Sequence, residues 1–272
     1  MLGALLGDIV GSIYEFHNIK TKDFPLFKEE SLYTDDSVMT LAVAEILQKG
    51  YIDDKDKIID TLKKWGQAYP DAGYGGHFYG WVLGNKRTPY NSCGNGSAMR
   101  VSACGWYGNS EEEVIDYATK VTEVTHNHPE GIKGAVVTAL CIYYARTGKS
   151  KEFLKNYMEL EYPLIKELDY EELIKSYVHE PEICQITVPE ALYCFIISNS
   201  FIDCIKTTIS IGGDCDTTAA ISGAIAEAFY KDSITDELLA EIRKRAPKSN
   251  SKCDANDIID NFLKYKMELR GC

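Results

Sequence analysis

Apolar residues recur along this chain mostly at helical spacing. In DDSVMTLAVAEILQKG, residues 35–50, the positions Val38, Leu41, Ala42, Ile46 and Leu47 follow one another at three- and four-residue steps, and Gly50 stands where a C-terminal cap belongs. GIKGAVVTALCIYYARTG (131–148) and DTTAAISGAIAEAFYK (216–231) repeat the pattern with many Gly and Ala. The opening GALLGDIVGSIYEF adds Gly3, Gly7 and Gly11 at a four-residue interval. Small residues on a helix face let backbones approach closely, so these stretches predict central helices of a bundle. KSKEFLKNYMELE and ITDELLAEIRKRAPKSN read as solvated helix faces. ICQITVP and TTISIGG are β-branched and carry short strand signals, but nothing alternates with helices as βαβ units would. The pattern predicts an all-α fold. No repeat, low-complexity tract or Gly/Ser linker divides residues 1–272, so one domain is expected. The region from Tyr69 to Asn95, dense in Gly, Tyr and Asn, reads as long ordered loops of the kind that carry function.

Composition narrows the function classes. With 45% apolar and 26% charged residues the chain is an ordinary globular protein, and its net charge of −12 argues against an extended grip on nucleic acid or anionic membrane. A small anionic ligand held by backbone amides and cations remains compatible with that charge. The N-terminus lacks a basic flank, Asp8 interrupts its apolar run, and no segment has the length of a membrane span. A cytoplasmic monomer is expected. Nine cysteines with no Cys-x-x-Cys pair read as reduced core thiols.

The candidate chemistry lies in two short stretches. SIGGDCDTT, Ser210 to Thr218, places Asp214 and Asp216 at the start of a small-residue helix, after two glycines that allow a sharp turn. Capping alone needs only one such acid. YTDDSVMT, Tyr33 to Thr40, again sets hydroxyl and carboxylate groups before an amphipathic helix. Brought face to face, these two ends would supply an all-oxygen site suited to Mg²⁺ or Mn²⁺ rather than zinc, with two ions balancing the carboxylates. His126 and His128 in VTHNHPEG lack zinc-ligand company, and at least one imidazole is expected to face a ligand or the interior.

In order, GALLGDIVGSIYEF, YTDDSVMT, GYGG, YNSCGNGSAMR, VTHNHPEGIKGA and ISIGGDCDTTAAISGAIAEAFY resemble the ADP-ribosylglycohydrolases. This superfamily includes the dinitrogenase reductase-activating glycohydrolase and the ADP-ribosyl-arginine and ADP-ribosyl-serine hydrolases. The resemblance implies an all-α enzyme with two Mg²⁺ (or Mn²⁺) ions that releases ADP-ribose from an ADP-ribosylated protein or other acceptor, at C1″ of the distal ribose. It assigns the metal ligands to Thr34, Asp35, Asp36, Asp214, Asp216 and Thr217, and sets Glu15 beside the metals and the scissile ribose. Glu15 is the first candidate for general acid/base, with Asp35 next. Gly94, Asn95, Gly96 and Ser97 correspond to a loop around the diphosphate, Gly73, Tyr74 and Gly75 to a loop near the adenosine and phosphates, and His126 to a ligand-contacting histidine. For the ligand so implied, glycines let backbone amides cradle a diphosphate, and Tyr74, Phe78, Tyr79 or Tyr107 could stack on adenine. Arginine leads as the acceptor, by likeness to bacterial activating glycohydrolases. Serine, a nucleobase or a small ADP-ribosyl metabolite are the other acceptors weighed. A non-catalytic ADP-ribose binder and a haloacid-dehalogenase-like phosphatase, whose Asp-x-Asp-x-Thr motif Asp214–Thr218 also satisfies, are the competing readings.

Overall fold

A computed structural model describes residues 1–176 and 182–271. Its helices, in chain order, are α1 (Leu2–Gly11), α2 (Asp35–Gln48), α3 (Lys55–Ala68), α4 (Gly76–Leu83), α5 (Gly96–Met99), α6 (Ser102–Tyr107), α7 (Glu111–Glu123), α8 (Pro129–Arg146), α9 (Lys151–Glu161), α10 (Tyr170–Ser176), α11 (Cys184–Ile197), α12 (Phe201–Ile211), α13 (Cys215–Phe229), α14 (Asp236–Arg245) and α15 (Ala255–Gly271). Among the described residues there is no sheet, only an isolated antiparallel bridge between Gly94 and Ile183. The fold is all-α. The phosphatase reading fails here, because it needs its Asp motif at the end of a strand and Asp214 instead stands at the N-cap position of α13.

The centre is α13, buried from Cys215 to Ala228. A helix apolar and small on every side has no solvent face to offer and must be surrounded. It packs on α1, α8, α11 and α12. The contact with α1 is the tightest: a Cβ added at Gly7 would lie 2.1 Å from the carbonyl oxygen of Ala219, and one at Gly11 would lie 2.4 Å from Cα of Asp216. The glycine spacing of the N-terminal motif is thus explained by backbone-to-backbone contact along α13. Met1 and Gly3 close the other end of α1, donating to the buried Glu227 carboxylate at 2.8 Å each.

Two expectations are corrected. The Tyr69–Asn95 region is not loop throughout, since its HFYGWVL segment forms α4 with Phe78, Trp81 and Val82 buried. The β-branched ICQITVP and TTISIGG stretches lie in α11 and α12, where burial of Thr187, Val188, Thr207, Thr208 and Ile209 outweighs intrinsic strand preference. The cysteines read as core thiols are free and, Cys93 apart, buried among the described residues; Cys272 lies outside them.

Candidate active site

The N-termini of α2 and α13 meet, and Asp8 of α1 holds them in register. Asp8 is fully buried; it accepts from the Thr34 amide at 3.0 Å, the Thr34 hydroxyl at 2.7 Å and the Ser37 amide at 3.0 Å, and also from the Ser37 hydroxyl. Thr34 in turn caps α2. Across the gap, the Thr217 hydroxyl donates to Asp36 Oδ2 at 3.0 Å. Carboxylate oxygens of Asp8, Asp36 and Asp216 lie within 4.8 Å of one another, as do those of Glu15, Asp214 and Asp216. The turn into α13 needs its glycines: Gly212 and Gly213 adopt φ of 86° and 73°. Asn18 ties the Glu15 turn to that bend, donating to the carbonyls of Tyr14 and Glu15 and accepting from the Gly213 amide at 2.9 Å.

Such crowding is costly without counter-charge. Burial, then like charge, pushes Asp35 up to about 7 and Asp216 to about 8, and raises Asp36 and Asp214 well above the usual carboxylate range. Burial also lifts Asp8 to about 6, although four hydrogen bonds oppose it. Oδ1 of Asp36 and Oδ1 of Asp216 are buried with no partner among the described residues. A buried acceptor without a donor is rare in folded proteins, and a hard cation satisfies it. Neither close group contains His or Cys, so the donor set suits Mg²⁺ or Mn²⁺ and not zinc. The residues present therefore fit divalent ions of that kind.

The acid cluster forms one wall of a cleft of about 240 Å³. Glu15, Thr34, Asp35, Asp36, Asp214, Asp216 and Thr217 all line it, together with Gly73, Gly75, Gly94, Asn95, Gly96 and His126. Asp35 lines the cleft without joining either close trio. The glycine-loop residue Asn95 reaches directly into the acid cluster, its side-chain amide donating to Asp214 Oδ2 at 2.5 Å. Two expected residues do not line the cleft. Ser97 is buried beneath it, bonded to the Gly94 carbonyl and the Cys184 thiol, and Tyr74 stacks on Tyr79 instead. Of the candidate stacking aromatics only Phe78 lines the cleft, while Tyr107 lies against Tyr265 at 4.3 Å.

Asp8, Asn18, Arg100 and Glu182 were not singled out from the sequence. Among the described residues, Arg100 is the sole guanidinium lining the cleft; it is buried and stacked on Phe78. Its Nη2 lies 3.1 Å from Nδ1 of His126, and the Thr125 hydroxyl lies 2.7 Å from the same atom. A guanidinium can only donate, so Nδ1 accepts and the imidazole proton resides on Nε2. Burial and the Arg100 charge keep His126 neutral, well below the ordinary histidine range. Nε2 faces the glycine loop, 3.4 Å from where a Cβ of residue 96 would stand. His128, by contrast, caps α8 by accepting from the Glu130 amide.

Comparison with known proteins places this geometry. The ADP-ribosylglycohydrolase family profile matches residues 1–268. The mouse ADP-ribosylhydrolase ARH3 is 30% identical, aligning 85% of this chain with 82% of its own. The ADP-ribosyl-[dinitrogen reductase] glycohydrolase of Rhodospirillum rubrum is 26% identical over 84% of this chain and 83% of its own. The likeness to the bacterial activating enzyme thus exists but is weaker than that to ARH3. A solved chain described as an ADP-ribosylglycohydrolase-related protein complex shares the fold, with a TM-score of 0.63 and 23% identity over 90% of this chain and 94% of that one. The chain belongs to the ADP-ribosylglycohydrolase family, and so to the glycosidase-type enzymes that act on ADP-ribose linkages.

Proposed function

We propose that this protein is a metal-dependent hydrolase that removes ADP-ribose from a modified acceptor by cleaving the glycosidic bond at C1″ of the distal ribose, with ADP-ribosyl-arginine as the leading substrate. The observation that carries the reading is the pair of buried, unpartnered oxygens on Asp36 and Asp216, directly beside a glycine loop. Thr34, Asp35, Asp36, Asp214, Asp216 and Thr217 would hold two Mg²⁺ or Mn²⁺ ions, with Asp8 fixing Thr34 through its hydrogen bonds. Bound there, the ions would balance the carboxylates and act as Lewis acids toward ribose oxygens.

The chain's own groups supply the remainder. The Gly94–Gly96 loop receives the diphosphate through the Gly96 amide, because the Gly94 and Asn95 amides already donate to the Ser92 hydroxyl and the Glu182 carbonyl, and a ligand so held has no need of a lysine cluster in an acidic protein. Neutral His126 presents its Nε2 hydrogen at the same loop, where the ligand would accept it. Asn95 joins that binding wall to Asp214, so ligand and reacting centre share one register. As the bond to C1″ breaks, its electron pair leaves with the acceptor atom, which takes a proton from the Glu15 carboxyl. Water then adds to the oxocarbenium-like carbon and returns a proton to Glu15. Burial, then Asp214 and Glu182, raise Glu15 to about 7, where it can hold or release that proton near neutrality.

The test is to incubate the purified protein with ADP-ribosyl-arginine, ADP-ribosyl-serine and ADP-ribosylated DNA, in Mg²⁺ or in EDTA, and to follow free ADP-ribose by mass spectrometry. Release from at least one substrate in Mg²⁺ and not in EDTA is expected. ADP-ribose binding without release from any of them would replace the hydrolase with a binding protein.

A further inference from the structure

The cleft is electrically lopsided. Among the described residues six carboxylates line it, those of Glu15, Asp35, Asp36, Glu182, Asp214 and Asp216, against the single guanidinium of Arg100. Five belong to the proposed machinery, but Glu182 enters neither group of oxygens close enough to share a cation. It is exposed at the rim, whereas Asp36 and Asp216 are buried.

Its backbone is nonetheless fixed. The Glu182 carbonyl accepts from the Asn95 amide at 3.1 Å, the Cys184 amide donates to the Cys93 carbonyl at 2.9 Å, and Ile183 forms the bridge to Gly94. This short antiparallel pairing anchors Glu182 beside the glycine loop, one hydrogen bond from Asn95. Asn95 is itself one bond from Asp214. Glu182 and Asp214 are the two charges that act most strongly on Glu15. A rim carboxylate is thereby built into the end of the cleft where Glu15 works.

The two ends differ in kind. Glycine amides, Arg100 and the His126 N–H suit the anionic diphosphate, while Glu15, Asp214 and Glu182 give the reacting end a negative field. An acceptor leaving from that end gains from positive charge. Arginine brings a permanently charged planar fork that a carboxylate pairs with through two parallel bonds, and serine brings none.

We infer that Glu182 is a specificity-determining residue that selects a cationic, guanidinium-bearing acceptor over a neutral hydroxyl acceptor. This rests on the hydrolase reading and deepens it. Glu182→Gln keeps size and hydrogen-bonding capacity while removing the charge, and at an exposed position folding is not at risk.

The experiment measures kcat/KM of wild type and Glu182→Gln on matched peptides carrying ADP-ribosyl-arginine or ADP-ribosyl-serine, at low and high salt. Wild type should prefer arginine, and the variant's arginine-to-serine ratio should fall by about tenfold, as expected for loss of one partly screened charge pair. Raising salt should shrink the wild-type preference and barely move the variant's. A ratio within about twofold of wild type at both salt levels overturns the inference, that being the scatter of a surface substitution without a role. Turnover of serine alone overturns it too, yet leaves the hydrolase reading standing. Release from neither linkage overturns the inference, and the hydrolase reading falls with it if ADP-ribosylated DNA is not cleaved either.

Discussion

Glu15 shows how much a single side chain owes to its surroundings. It follows α1 in a turn pinned by Asn18, half-buried, with Asp214 and Glu182 close enough to oppose its ionisation. The chain alone raises it to about 7, and a cation at Asp214 and Asp216 would draw it down again. The working value therefore falls between that of an ordinary carboxylate and neutrality, the range suited to a group that must give and regain a proton. Glu15→Gln is expected to lower kcat by about 10²- to 10⁴-fold, the usual contribution of a positioned acid/base. It should also erase the limb of the pH–rate profile over which kcat falls as pH rises and this carboxyl loses its proton. Full turnover with an unaltered profile would transfer the role to Asp35, which burial, then Asp8, raises to about 7 as well.

Between elements, the decisive contact is α1 on α13, because it sets Asp8, Glu15 and Asp216 within reach of one another. Gly7→Ala should destabilise the fold by about 1–3 kcal/mol or more, since its Cβ would fall 2.1 Å from a backbone oxygen that cannot swing aside. The measurement is a denaturant melt, and a midpoint equal to wild type would show that the helices part without loss. Periodicity and small residues made α2, α8 and α13 legible, and the paired acids marked where α2 and α13 begin. The strand-like stretches in α11 and α12 misled because Thr, Ile and Val report burial as much as backbone preference. Asp8 read as a break in an apolar run, and nothing local announces that it binds Thr34 and Ser37. Asn18 and Gly213 are 195 positions apart, as far as sequence is concerned unrelated. Glu182 is paired to the glycine loop through the isolated bridge, a contact too short to leave a period. Hydroxyl and acid motifs are local and could be read; the groups that hold them in register are not.

For the whole molecule, the acid cluster predicts a stability that depends on pH and metal together. In an unfolded chain these carboxylates titrate near pH 4. In the fold, Asp8, Asp35 and Asp216 titrate at about 6, 7 and 8. Between those limits the native state binds more protons than the unfolded state, so stability falls as pH rises through the window. Glu227 works in the opposite sense. Lys266 and the Met1 amine hold it down to about 2, so its contribution is complete above pH ~4.5 and disappears in stronger acid. The metal-free protein should accordingly be most stable near pH 5 and weaken toward pH 8. Divalent ions replace protons as the counter-charge, so they bind the ionised cluster and add about 2.7 kcal/mol at a hundredfold excess over Kd. Thermal melts in EDTA should show the midpoint falling by about 5 °C or more from pH 5.5 to 8, at roughly 2–4 °C per kcal/mol for a chain of this size. In Mg²⁺ that slope should flatten or reverse, because the cation rewards the state that pH alone penalises. A metal-free protein equally stable at both pH values would mean the carboxylates are not as buried together as their geometry requires, and the case for a cation between them would fall with it.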